Sequence, residues 1–112
     1  MESVRQQKVG RLVQKELSEI FRSQSKSIFG GAFISVTVVR VSPDLGVAKV
    51  YLSIMVTSDK QKTFELVKEQ TAVIRKKLGL VIGKQVRVIP ELHFYLDDSL
   101  DYAMRIEELL KK

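Results

Sequence analysis

The chain has 112 residues, 45% of them hydrophobic and 29% charged, the composition of one small folded domain, long enough to bury roughly 65% of the surface its unfolded form exposes. It contains no cysteine, which excludes a disulfide framework, a thiolate-ligated zinc or iron–sulfur centre and a cysteine nucleophile. Nineteen Lys and Arg against thirteen Asp and Glu give a net charge of +6, which points to a polyanionic partner such as nucleic acid or an anionic membrane surface.

That charge is unevenly placed. Residues 1–26 carry +3, residues 27–58 carry +1, residues 59–87 carry +5 and residues 88–112 carry −3, so the basic character comes from the first and third quarters while the C-terminal end is acidic. The opening stretch is charged and amphipathic where a secretory signal needs an unbroken apolar run. With no eighteen consecutive apolar residues anywhere, the expectation is a cytoplasmic protein without a membrane contact.

From Val9 to Phe21 the residues Val9, Leu12, Val13, Leu17, Ile20 and Phe21 recur every three or four positions, which predicts a helix burying one face. On a wheel of about 100° per residue, Lys8, Arg11, Lys15 and Arg22 fall within an arc of roughly 60° beside that face. Such a stripe serves equally as the solvated side of an amphipathic helix or as a phosphate-binding face. After the helix-breaking stretch Ser23–Gly31 come Phe33–Val41, the turn Ser42-Pro43-Asp44-Leu45-Gly46 and Val47–Val56, which read as an antiparallel hairpin. Strict alternation puts Ile34, Val36 and Val38, with Ala48, Val50, Leu52, Ile54 and Val56, on the buried side, and turns Lys49, Tyr51 and Ser53 outward.

Between Asp59 and Ile82 the residues Phe64, Val67, Thr71, Ile74, Leu78 and Val81 lie on one narrow stripe, so periodicity alone predicts a single helix ending near Gly83. Lys68, Arg75, Lys76 and Lys77 stand outside that stripe. The stretch Val86–Leu96 alternates as a third strand, and Pro90 within it requires an edge position or a bulge. Asp97-Asp98-Ser99 then reads as the N-cap of a terminal helix over about 98–110, with Leu100, Ala103, Met104, Ile106 and Leu110 as its packing face. The order helix, strand, strand, helix, strand, helix predicts a two-layer α+β domain over residues 1–112, with helices on one face of a three-stranded sheet.

No nucleophile with a base, no workable carboxylate pair and no metal cluster stands at a recognisable spacing, so no enzymatic activity is expected. His93, the one histidine, falls on the outward parity of the third strand with nothing near to complete a triad. Helix capping accounts for Asp97, Asp98 and Asp101 better than cation ligation does, so neither metal nor cofactor is expected. Gly79 and Gly83 have the Gly-x-x-x-Gly spacing, but the Gly-Lys-Ser/Thr ending of a phosphate loop is missing. What remains is the basic surface, with candidate RNA contacts Lys8, Arg11, Lys15, Arg22, Arg75, Lys76, Lys77, Lys84 and Arg87. Tyr51 and Tyr95 on outward strand positions can stack bases or act only as strand formers.

The residues Val41-Ser42-Pro43-Asp44-Leu45 followed by Ala48-Lys49-Val50-Tyr51-Leu52-Ser53, the pair Ile74-Arg75, and Pro90-Glu91-Leu92-His93-Phe94 leading to Asp97-Asp98-Ser99-Leu100 resemble the ribosome-binding factor A family over nearly the whole chain. Arg11 and Lys15-Glu16-Leu17 also match that family's first helix. The resemblance implies a type II KH-like fold, α-β-β-α(kinked)-β-α, and a monomeric bacterial assembly factor without catalytic activity or cofactor. It implies binding to the immature small (30S) ribosomal subunit and its 16S rRNA, assistance in late maturation and in 5′-end processing of the 16S rRNA precursor, and a special importance in the cold. Other assembly factors, or a GTPase acting in release, are implied as further partners.

The family replaces the Gly-x-x-Gly loop of ordinary KH domains by an interhelical kink, usually Ala-x-Gly, and Gln70-Thr71-Ala72 stands in that place here. Without backbone amides in a loop to approach single-stranded RNA, such a domain relies on side-chain charge and shape, which favours folded RNA. Two other readings fit the residues alone: a KH-like regulator that binds single-stranded RNA, and a protein-interaction module acting through its acidic C-terminal helix.

Overall fold

Ser3 and Gln6 start the first helix. In the computed structural model, which describes residues 3–55, 57 and 59–97, Ser3 Oγ accepts the Gln6 N–H at 3.1 Å and Gln6 Oε1 accepts the Ser3 N–H at 2.7 Å. This reciprocal cap satisfies two of the helix's free amides and begins α1 (Val4–Gln24) one turn ahead of the apolar period that starts at Val9. The Gln6 side chain, nearly buried, also donates to the Val41 carbonyl at 2.8 Å. Val13, Leu17, Ile20 and Phe21 form the buried face. A Cβ on Gly10 would lie 3.3 Å from the Val39 carbonyl oxygen, so the absent side chain is what lets α1 approach the strand beneath it.

Strands β1 (Phe33–Val41) and β2 (Val47–Met55) pair antiparallel. In the turn between them Leu45, not Gly46, takes the left-handed conformation, with φ 63°. Asp44 holds the turn: its Oδ1 accepts from the Ser42 hydroxyl at 2.6 Å and from the Gly46 N–H at 3.0 Å. These two donors favour the charged carboxylate and lower its pKa from the usual 3.8, the Ser42 bond contributing most. A carboxyl with a depressed folded-state pKa stabilises the fold above its unfolded value and loses that contribution as pH falls through the folded one. Asp44→Ala is therefore expected to lower the urea midpoint at pH 7, and the gap from wild type to close as the pH is taken below 3.8.

The ladder slips between Val36, opposite Leu52, and Val38, opposite Tyr51. This bulge overturns the strict alternation expected for β1: Val38 is 38% exposed, and Val39 and Val41 turn toward the core instead, because one extra residue reverses the parity of everything after it. Val56, expected inside, lies outside the described residues.

The single long helix expected over 59–82 is two helices, α2 (Lys60–Glu69) and α3 (Thr71–Ile82). At Gln70 the backbone leaves helical geometry, with φ −92° and ψ 9°, and its N–H reaches the carbonyls of both Leu66 and Val67. Thr71 Oγ1 donates to the Lys68 carbonyl at 2.8 Å, taking an acceptor that a continuous helix would have used. The break falls at the Gln70-Thr71-Ala72 position that the resemblance marks for a kink. Beyond it Ile74, Leu78 and Ile82, four residues apart, are buried, and Val81, expected inside, is 49% exposed.

Strand β3 (Glu91–Leu96) pairs parallel with β2, from Val47 opposite Glu91 to Leu52 opposite Leu96, in the order β1-β2-β3. The strand is shorter than the expected Val86–Leu96. Pro90 has no N–H for a ladder, and pairing begins one residue later, where the Glu91 N–H donates to the Gly46 carbonyl at 2.8 Å. Val88, expected inside, is 59% exposed. The helices cover one face of the sheet, with Phe21 between Phe29 and Phe94 at ring-centre distances of 5.8 and 6.0 Å. This is the two-layer, type II KH-like α+β arrangement. The terminal helix expected over 98–110 lies outside the described residues.

Candidate nucleic-acid interface

Because α1 buries Val13, Leu17 and Phe21, its opposite side is fixed outward, and Lys8, Arg11 and Lys15 are all exposed there at successive turns. None of the three has an ion-pair partner among the described residues. Arg22 continues the spacing but pairs with Glu19 one turn before it. An exposed pair of this kind contributes little to stability, but it cancels the charge at that end, so the free stripe runs from Lys8 to Lys15.

The structure extends the stripe at its N-terminal end. Arg5 and Lys8, the turn residues Pro43, Asp44 and Leu45, and Gln85–Val88 enclose a recess of about 630 Å³. Arg87 from the connection between α3 and β3 thereby meets the cations of α1 although 79 residues separate it from Lys8 in the chain. Sequence reasoning missed Arg5; the signal was available, since a residue three positions before Lys8 shares its helix face.

The remaining predicted cations do not join this group as one patch. Arg75, Lys76 and Lys77 are consecutive on α3 and fan out over about 200°. Arg75 is engaged within the fold: its Nη2 donates to the Ile89 carbonyl at 2.8 Å and its Nε to the Pro90 carbonyl at 3.1 Å. These bonds tie α3 to the residues that precede β3, and they satisfy carbonyls that no ladder reaches. Lys76 is exposed beside Arg75. Lys77, on the opposite flank of α3, is half-buried, and Lys84 is exposed just past the helix end. Removing the Arg75 guanidinium by Arg75→Ala is expected to cost about 1–2 kcal/mol in urea unfolding and to leave the salt dependence of RNA binding unchanged. A flattened salt dependence with unaltered stability would instead make Arg75 an RNA contact.

Lys68, outside the predicted set, stands 5.0 Å from the Phe64 ring centre and 3.3 Å from a Glu65 oxygen, and shares a shallow recess with Thr71, His93 and Tyr95 at the β3 edge. His93 Nε2 lies 3.5 Å from Glu91 Oε1 on the exposed side of β3. Among the described residues no group of three His, Cys, Asp or Glu side chains is placed to hold a metal, and no helix is long and apolar enough to cross a membrane.

The profile of the ribosome-binding factor A family matches residues 5–110. The chain belongs to that family. Ribosome-binding factor A of Cytophaga hutchinsonii is 56% identical over 112 residues, covering 100% of this chain and 84% of that protein. Its counterpart in Prosthecochloris aestuarii is 44% identical over 112 residues, covering 98% of this chain and 89% of that protein. The crystal structure of ribosome-binding factor A from Thermus thermophilus superposes with a TM-score of 0.68 at 16% identity, over 81% of this chain and 94% of that one. A Thermus thermophilus ribosome-binding factor A homology model, fitted into a cryo-electron-microscopy map of a 30S–RbfA complex, superposes at 0.62 with 18% identity, over 78% and 89% of the two chains. Family membership thus covers the α1 stripe, the Ser42–Gly46 turn and the helix break at Gln70 in one match.

Proposed function

We propose that this protein binds the immature small (30S) ribosomal subunit, on its 16S rRNA, and acts there as a non-catalytic assembly factor in the cytoplasm. Membership of the ribosome-binding factor A family over residues 5–110 carries the reading. The exposed cations on α1 and their junction with Arg87 support where the RNA is held. The finer activity follows the family: late maturation of the subunit and 5′-end processing of the 16S rRNA precursor, with greatest need in the cold. Residues 1–112 act as one domain and one monomer, without cofactor, and other assembly factors or a GTPase release it.

Arg5, Lys8, Arg11, Lys15 and Arg87 form the proposed contact set, and they hold phosphates by charge, which suits folded RNA with its dense backbone. Five phosphate contacts predict that log K falls with log[salt] at a slope of about −3.5 to −4.5. The test has two parts. In gradients, the protein is expected to co-sediment with small subunits and to leave them as salt rises; absence of small-subunit binding overturns the reading. In cells lacking their own ribosome-binding factor A, it is expected to restore growth in the cold and to reduce unprocessed 16S rRNA precursor. Binding without that rescue overturns the processing role alone.

A further inference from the structure

The described helices α1, α2 and α3 occupy one side of the sheet, and its other side carries groups that the proposed function leaves unused. Across the strands, Arg40 stands opposite Lys49 and Lys49 opposite His93, while Val38 stands opposite Tyr51 and Tyr51 opposite Tyr95. These positions project away from the core, since Val39, Val50 and Phe94 between them point into it. Successive outward rows lie about 6.8 Å apart, twice the rise per strand residue. One row is cationic and the next aromatic.

The Tyr51 and Tyr95 rings stack, with centres 5.3 Å apart and planes inclined by 26°. Tyr95 stands on the edge strand and is 42% exposed, so among the described residues no further strand lies on the side of its ring away from Tyr51. Arg40 and Lys49 are exposed and have no ion-pair partner among the described residues. Among the described residues the carboxylates on this face both belong to the β3 segment: Glu91 beside His93 at 3.5 Å, and Asp97, whose Oδ2 accepts from Thr37 Oγ1 at 2.7 Å. The positive charge therefore lies toward β1 and β2, one row from the rings.

We propose that this face of the sheet, which no described helix covers, is a second RNA-contact surface, on which an unpaired base continues the Tyr51–Tyr95 stack and Arg40 and Lys49 take the adjoining phosphates. Every base offers a π-face, so the stack accepts unpaired RNA without demanding a sequence, and the neighbouring cations match the charge of its backbone. The α1 stripe lies in the helix layer on the opposite side of the sheet. The domain then touches structured RNA with its helices and an unpaired segment with its sheet, and holds the two apart. This inference rests on the reading of the chain as a ribosome-binding factor and adds the class of RNA that a second face recognises.

The protein has no tryptophan and three tyrosines, so in a Tyr102→Phe background its emission reports Tyr51 and Tyr95 alone. An unpaired oligoadenylate is expected to quench that emission, and an RNA hairpin duplex of equal length to leave it unchanged. By anisotropy of the labelled oligoadenylate, Tyr51→Leu with Tyr95→Leu is expected to weaken binding about tenfold or more, and Tyr51→Phe with Tyr95→Phe to retain it. Should the leucine pair fail to fold by circular dichroism, Arg40→Glu with Lys49→Glu gives the same loss on an intact stack. Unchanged affinity in the leucine or the charge-reversed pair overturns the proposal. So does equal binding of polyglutamate, or a dimer that the leucine pair dissolves without change in RNA affinity. If these variants change nothing while Arg11→Glu with Lys15→Glu abolishes subunit binding, only this second surface falls. If neither set alters subunit binding, both contact surfaces fall while ribosome binding stands; failure of the unaltered protein to bind small subunits is what overturns the ribosome-binding reading.

Discussion

Arg11→Glu combined with Lys15→Glu is expected to abolish co-sedimentation with immature small subunits while leaving the far-ultraviolet circular dichroism and the urea midpoint close to wild type. The two residues are exposed on the outer side of α1 and take no part in the hydrogen bonds that cap or anchor the helix. Their replacement breaks no internal contact, so any loss is a loss of binding. Removing two phosphate contacts flattens the salt slope by about 1.4 to 1.8, and the two new carboxylates add repulsion at the same place. A reduction in total charge would act in the same direction, so the control is Lys26→Glu with Lys62→Glu. That pair makes the same change of net charge at exposed positions outside the stripe and is expected to keep binding within a few-fold of wild type under matched salt. Equal losses from both pairs would remove the α1 stripe as the site and leave only a diffuse attraction. Because Lys76 and Lys77 diverge around α3, and Lys77 is half-buried, their reversal is expected to do less than the α1 pair.

How far the sequence discloses this arrangement depends on the range of the cause. Periodicity places α1, the hairpin and the third strand because each is a local pattern that burial of one face enforces. The same periodicity misreads 59–82, since Phe64, Val67, Ile74 and Leu78 keep a helical step across a break that is made by the Gln70 backbone and the Thr71 hydroxyl. Val38 and Val81 depart from their expected places for different reasons. The bulge shifts the phase of β1 by a residue, while in α3 the buried face steps from Leu78 to Ile82 rather than to Val81, a choice that two adjacent apolar residues leave open. For the candidate site, the stripe on α1 is legible because the four side chains belong to one helix. The meeting of Lys8 with Arg87 is tertiary and invisible in the sequence, as is the capture of Arg75 by the carbonyls of Ile89 and Pro90. A basic residue announces its charge, but only the fold decides whether that charge is left for a partner.

The largest effect on stability is expected from Phe21→Ala, about 3–5 kcal/mol. Phe21 is 1% exposed and sits where three parts of the chain meet: α1 itself, Phe29 from the connection to β1, and Phe94 from β3. Its ring makes a tilted contact with Phe29 and an edge-on contact with Phe94, at interplanar angles of 53° and 72°, the geometries that aromatic quadrupoles favour. Alanine leaves a cavity that these two rings cannot both fill, because one is held by a strand and the other by the helix end. Domains of this size are stable by about 5–15 kcal/mol, so the variant is expected to show a urea midpoint reduced by about a fifth or more with an unchanged m-value. Subunit binding should then fall only by the fraction unfolded, with the wild-type salt slope, since Lys8, Arg11 and Lys15 keep their places in every folded molecule. The charge-reversed α1 pair is expected to behave in the opposite way, with wild-type stability and a flattened slope. A flattened slope in Phe21→Ala would mean that the basic stripe depends on this packing to hold its shape, and that helix position and RNA affinity are one property rather than two.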